Sequence, residues 1–189
     1  MKAKQRHTRT AIILHWIYAP AVITSILSGF YIHNPSRFNV FHTMDSAKKV
    51  HAVSQYALIF SFLARIVYGF KDKNYREIIP NRKTWLSFPG FLKYEFFLSN
   101  KKVTYPKYNP GQKLLITNFA LVIPIQIITG LALYSKKFEG TAKAAGGLNP
   151  VRLSHYVLSL MLVYSVSGHL YFAFTHGFKK LKSIFTGYE

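Results

Sequence analysis

At 189 residues, half of them hydrophobic, the chain is long enough for one compact domain or one membrane-embedded bundle. It carries 25 Lys and Arg against 6 Asp and Glu, a formal charge of +19, and no cysteine. The lack of cysteine excludes disulfides, thiolate-held iron–sulfur clusters and covalently attached haem.

Four stretches, at about 11–32, 50–70, 114–134 and 152–174, are apolar over the length a helix needs and contain no carboxylate. At about 1.5 Å per residue, roughly 20 residues cross a hydrocarbon core of about 30 Å. The first follows a basic stretch, as in a secretory signal, but its apolar part is too long and no small-residue cleavage site follows Gly29, so it is expected to remain as a span. The loop at 33–49, with His33, Asn34, Pro35, Ser36 and Asp45, reads as a short connection. After the second span comes a longer segment, 71–113. Its aromatic centre, 85–98, is too short to span and carries Pro89 and Gly90, so it is expected to lie along the headgroups. The third span opens at Asn109-Pro110-Gly111-Gln112-Lys113, where Asn as N-cap and Pro at the first helical position make an ordinary helix start. Gly140, Gly146, Gly147 and Pro150 mark 135–151 as a flexible link to the fourth span. No internal repeat is legible. The expected fold is an all-α membrane protein, a four-helix transmembrane bundle with an interfacial segment, forming a single domain over 1–189.

The charge is placed by topology. Lys2, Lys4, Arg6 and Arg9 precede the first span, ten basic residues lie from Lys71 to Lys113, and Lys179, Lys180 and Lys182 follow the last span. Seventeen of the 25 thus fall on one side, which predicts cytoplasmic termini and a cytoplasmic middle loop. This asymmetry argues against a nucleic-acid partner, and the same charge suits anionic lipid.

Four histidines fall within spans: His15, His51, His155 and His169. Ionisable side chains inside a membrane are costly and mark function by default. With the N-terminus inside, His15 and His169 lie toward the cytoplasmic side, and His51 and His155 toward the outer side. His155 and His169 are separated by 14 residues, about 21 Å along a helix, too far to share one metal, yet nearly a whole number of turns, so they leave the helix on about the same face. Each level then has two histidines from two helices, as axial ligation of two b-type haems requires: His51 with His155, and His15 with His169. The same interval leads from His51 to Arg65 and from His15 to Gly29. Arg65 suits a haem propionate or snorkels to headgroups, and Gly29 admits a porphyrin or a close helix neighbour. Zinc would want three or four close ligands, and a proton-coupled transporter would want a carboxylate in a span. His7, His33, His42 and His176 read as solvated.

His15-Trp16, Lys48-Lys-Val-His51 and His169-Leu-Tyr171 are similar in order and spacing to the signatures of the di-haem cytochrome b subunits of bacterial membrane oxidoreductases. Within that family, Lys107-Tyr-Asn-Pro-Gly-Gln-Lys113 and Leu181-Lys-Ser-Ile-Phe-Thr-Gly187 resemble stretches of the formate dehydrogenase gamma subunit. The resemblance implies a bacterial inner-membrane subunit that takes electrons from an iron–sulfur subunit and its catalytic partner to a quinone, menaquinone or ubiquinone. It further implies that Asn109, Gly111 and Gln112 line the quinone pocket with His169. Pro110 departs from the small residue the family often has there. A nickel–iron hydrogenase cytochrome b subunit or a free-standing quinol-oxidising cytochrome would carry the same histidines.

Overall fold

The computed structural model describes residues 4–189 except Asn74, Lys102, Pro106, His176 and Gly177; of the residues weighed above, Lys2, Lys102 and His176 lie outside that set. Among the described residues the regular elements are helices: α1 (Arg9–His33), α2 (Met44–Lys71), α3 (Tyr75–Ile78), α4 (Arg82–Glu95), α5 (Pro110–Tyr134), α6 (Glu139–Ala144), α7 (Leu148–Thr175) and α8 (Phe178–Thr186). Four of them, α1, α2, α5 and α7, are long and apolar enough to cross a membrane, so the chain is an all-α membrane protein, as the sequence predicts. Each runs past its apolar stretch, because caps rather than hydropathy end a helix. Thr8 caps α1 by accepting from the Ala11 N–H, and Asn109 caps α5 by accepting from the Gln112 N–H.

One segment differs from expectation. The link at 135–151 is mostly helical: a 3-10 turn at Lys136–Phe138 leads into α6, which takes in Gly140. Pro150 lies in the first turn of α7, where its missing N–H has no intrahelical acceptor to lose. Only Gly146 and Gly147, both at positive φ, break the chain direction. The aromatic segment forms α4, opened by a reciprocal capping box between Asn81 and Thr84. It buries Phe91 while leaving Trp85 and Leu86 exposed, an amphipathic pattern that suits a headgroup boundary.

The chain divides into two compact units, Met1–Lys71 with Ala173–Glu189, and Asp72–Phe172. In the first, α1 and α2 pair along small and hydroxylated side chains, with Thr24 Oγ1 and Ser54 Oγ 2.8 Å apart. A terminal clasp completes it: Lys4 and Glu189 exchange backbone hydrogen bonds, Arg6 meets the Glu189 carboxylate at 2.7 Å, and Trp16 Nε1 donates to the Ile184 carbonyl of α8. In the second, Asn118 of α5 donates to Ser165 of α7 at 2.6 Å, and Leu115 fills the space that Gly168 leaves.

The two units share a plan. α1 and α5 are both 25 residues long, and α2 and α7 both 28. Counted from their first residues, most buried positions coincide, among them Leu14 with Leu115, Ala21 with Val122, Val22 with Ile123, Ser25 with Gln126, Ala47 with Val151, Leu58 with Leu162, and Ser61 with Ser165. The repeat is one of burial and helix length, with few identical residues, so it is not visible to a reading of letters.

Candidate functional site

His51 and His155 occupy equivalent positions in α2 and α7, and each is gripped the same way by the helix before it. Ser28 Oγ of α1 stands 2.9 Å from His51 Nδ1, and Thr129 Oγ1 of α5 stands 2.8 Å from His155 Nδ1. Both hydroxyls already donate to their own helix, Ser28 to the Thr24 carbonyl and Thr129 to the Ile125 carbonyl. A hydroxyl has one hydrogen, so in each pair the imidazole N–H is the donor and Nδ1 carries the proton. The Ser25 carbonyl, an acceptor only, lies 3.1 Å from His51 Nδ1 and requires the same tautomer. In this tautomer Nε2 is the nitrogen whose lone pair a metal would take.

A glycine lies against each ring. A Cβ on Gly29 would sit 3.4 Å from His51 Cε1, and one on Gly130 would sit 3.3 Å from His155 Cε1. In the structure Gly29 therefore carries an imidazole on its backbone. Beside each ring is a buried polar atom without a hydrogen-bond partner among the described residues, Ser25 Oγ next to His51 and Gln126 Oε1 next to His155. The Gln126 amide nitrogen approaches His155 Nε2 at 3.4 Å. Orphaned polar atoms at such depth, next to oriented imidazoles, fit a site for a metal-bearing group that the imidazoles would ligate.

The other two histidines break the repeat. The counterpart of His169 is Arg65, and that of His15 is Ile116. The recurrent interval from His51 to Arg65 and from His155 to His169 is thus one shared position filled differently. Arg65 lies over the Tyr68 ring, 5.6 Å from its centroid, and the Tyr68 hydroxyl is 2.6 Å from Thr8 Oγ1 at the start of α1. His15 packs edge-on against Trp16, whose ring meets Phe185 of α8. His169 is exposed on α7. Of the remaining histidines, His33 at the end of α1 and His42 are exposed, while His7 is partly buried in the terminal clasp.

Asn109 and Gln112 are joined in a capping box: Asn109 Oδ1 accepts from the Gln112 N–H at 2.7 Å, and Gln112 Oε1 accepts from the Asn109 N–H at 3.1 Å. Their oxygens are therefore committed to the helix start, and Asn109 Nδ2 is left as a buried donor without a partner among the described residues. Gly111 is held to glycine by aromatic rings, since a Cβ there would meet Phe172 at 2.6 Å and Phe91 at 2.7 Å. Phe172 is one helical turn beyond His169 on α7, so Gly111 and that histidine flank the same turn. Around this point, Phe91 packs on Phe172 and Tyr105, and the Tyr171 hydroxyl donates to Glu95 at 3.1 Å. The Tyr105 hydroxyl is buried without a partner; burial first and the Glu95 charge second push its pKa above the ordinary value.

A reading of the sequence passes over Ser25, Ser28, Gln126, Thr129 and Gly130, because serine, threonine and glycine are ordinary in membrane helices and Gln126 lies far from its histidine in the chain. Their signal lies only in the repeat. Phe91, Glu95, Tyr105 and Tyr171 are missed for a similar reason, being drawn from three separate segments.

Comparison with known proteins gives a consistent answer. The chain is 26% identical over 135 residues to a Bradyrhizobium diazoefficiens protein described as a Ni/Fe-hydrogenase B-type cytochrome subunit, covering 66% of this chain and 55% of that one. A Rhodobacter capsulatus protein of the same description is 25% identical over 136 residues, 66% of this chain and 52% of its own. One from Cupriavidus necator is 24% identical over 147 residues, 72% and 60%. The chain thus spans between about half and three fifths of the length of these relatives. A family model described as prokaryotic cytochrome b561 matches residues 6–187, nearly the whole chain, with all four membrane histidines inside the match. The chain is therefore a member of the prokaryotic cytochrome b561 family, a multi-pass membrane cytochrome of b type.

Proposed function

We propose that this chain is the electron-carrying membrane subunit of a hydrogenase-type complex, holding two b haems and delivering electrons to a quinone. The descriptions of the relatives favour a nickel–iron hydrogenase partner, with its iron–sulfur subunit, over the formate dehydrogenase that the Lys107–Lys113 motif suggests. That motif is in good part a helix cap, which any partner would tolerate. The observation that carries the reading is the matched pair of Nδ1-anchored imidazoles, His51 and His155, in a b-type cytochrome family.

His51 and His155 would hold the outer haem, and His15 and His169 the inner one, each through neutral imidazole nitrogen. Bound haem supplies one-electron redox chemistry, and the protein supplies ligands, burial and hydrogen bonds that set its potential. For the quinone, the start of α5 offers two donors to a carbonyl oxygen, Asn109 Nδ2 and Tyr105 Oη, and an apolar wall from Phe91 and Phe172. Gly111 keeps that wall close. The Tyr171–Glu95 pair holds an exchangeable proton within the same cluster, where a reduced quinone oxygen needs one. If the basic side is cytoplasmic, that proton comes from the cytoplasm.

The test is a pyridine haemochrome assay with subunit and metal identification on the solubilised complex. Two b haems per chain with a nickel-containing partner is the expected result. Molybdenum or tungsten in the partner would restore the formate dehydrogenase reading, purification without any partner would favour a free-standing quinol-oxidising cytochrome, and a colourless chain would end all three.

A further inference from the structure

We infer that Ser28 and Thr129 are matched positioning residues that lock His51 and His155 as Nδ1-protonated rings and thereby set the potential of the outer haem. The inference rests on the reading that these two histidines ligate it. Three independent observations carry it. Each hydroxyl stands within hydrogen-bond distance of Nδ1, at 2.9 and 2.8 Å. Each has its own hydrogen committed to a backbone carbonyl one turn back, at 2.6 Å for Ser28 and 2.9 Å for Thr129, so it accepts and cannot donate. And the two are the same position in α1 and α5, followed in both by the glycine on which the ring rests.

An acceptor on Nδ1–H draws the proton away from the ring, which makes Nε2 a stronger donor and favours ferric over ferrous iron. Removing it should raise the midpoint potential. His51 also has the Ser25 carbonyl as an acceptor at 3.1 Å, which tempers the loss of Ser28. Ser28→Ala and Thr129→Val should each shift the outer haem upward, and the double variant most. Thr129→Ser keeps the hydroxyl and should stay close to wild type.

The experiment is a spectrally monitored redox titration of the purified complex, with the ferric low-spin resonance of each haem recorded in parallel. The outer haem is assigned as the one lost in His155→Ala, and the inner haem serves as internal standard. Support is an upward shift of the outer wave alone, largest in the double variant, with a changed ferric signal, or selective loss of the outer haem in Thr129→Val that Thr129→Ser restores. Outer midpoints and ferric signals equal to wild type in Thr129→Val and in the double variant would overturn the inference while leaving the ligand reading intact. A wild-type complex without b haem, or both haems surviving in His155→Ala, would overturn the ligand reading and this inference with it.

Discussion

Gly29 and Gly130 stand at the same step of α1 and α5 yet leave different clearances for the imidazole that rests on them. At Gly29 an added methyl meets His51 at ordinary van der Waals distance, and at Gly130 it is a tenth of an ångström tighter against His155. Gly29→Ala should therefore leave the b-type haem content unchanged, and Gly130→Ala should be the more perturbing of the two, read as the Soret amplitude per purified chain. Gly111→Ala is harsher, because its methyl would overlap two phenyl rings already packed on each other. A loss of about 1–3 kcal/mol, typical of overpacking, is expected in detergent-phase thermal unfolding, together with slowed quinone reduction. Tyr105→Phe should separate stability from function. Deleting a buried hydroxyl without a partner leaves stability unchanged or raises it by about 1 kcal/mol, while quinone reduction falls. Because the Tyr105 pKa is raised, its contribution is present below the ordinary tyrosine value and lost as pH climbs above about 10. The wild type should lose stability more steeply than Tyr105→Phe in that alkaline window.

Helix ends carry the next level of organisation. The box of Asn109 and Gln112 satisfies two otherwise orphaned N–H groups at the start of α5 and sets Gly111 against the aromatic cluster. Asn109→Ala should cost about 1 kcal/mol from the cap. If Nδ2 also serves a quinone, Asn109→Ser, which keeps a capping oxygen, should recover stability but not quinone reduction. On α2, Val53, Tyr56, Phe60, Leu63, Val67 and Phe70 form an exposed stripe at alternating three- and four-residue steps, opposite the buried Ala47, Ser54, Leu58 and Ser61. In water such a stripe would drive aggregation; against acyl chains it is at home, which is why small hydroxylated residues are inside and large apolar ones outside.

For the whole molecule, the charge asymmetry makes a claim about orientation that the complete lack of native cysteine renders easy to check. Ser36→Cys and Asn100→Cys would each introduce the chain's one thiol, both at exposed loop positions. A membrane-impermeant thiol reagent applied to intact spheroplasts should label the first and spare the second, and the reverse result would invert the topology and the proposed direction of proton uptake. The terminal clasp is the other feature at this scale. Arg6 is largely buried against the Glu189 carboxylate, and the two strand-like termini exchange backbone bonds beside α8, which rests on Trp16 next to His15. Glu189→Gln should loosen this corner, read as faster amide exchange around Arg6 and His7.

Number, order and approximate limits of the spans were legible in the sequence, because apolar length against a fixed bilayer thickness is a one-dimensional property. The four membrane histidines were legible for a related reason: a titratable ring in an apolar stretch is conspicuous without any coordinates. What Ser28, Thr129, Ser25, Gln126 and Gly130 do was not, since a hydroxyl's role depends on which neighbour its one hydrogen faces, and that neighbour lies on another helix. The repeat was hidden likewise, because burial at equal steps is preserved while residue identity is not. The sequence by itself determined that this is a membrane-spanning, histidine-bearing, all-α chain. Only the tertiary structure decided which nitrogen of His51 and of His155 is left for a metal, because a tautomer is chosen by contacts across helices and not by anything along one.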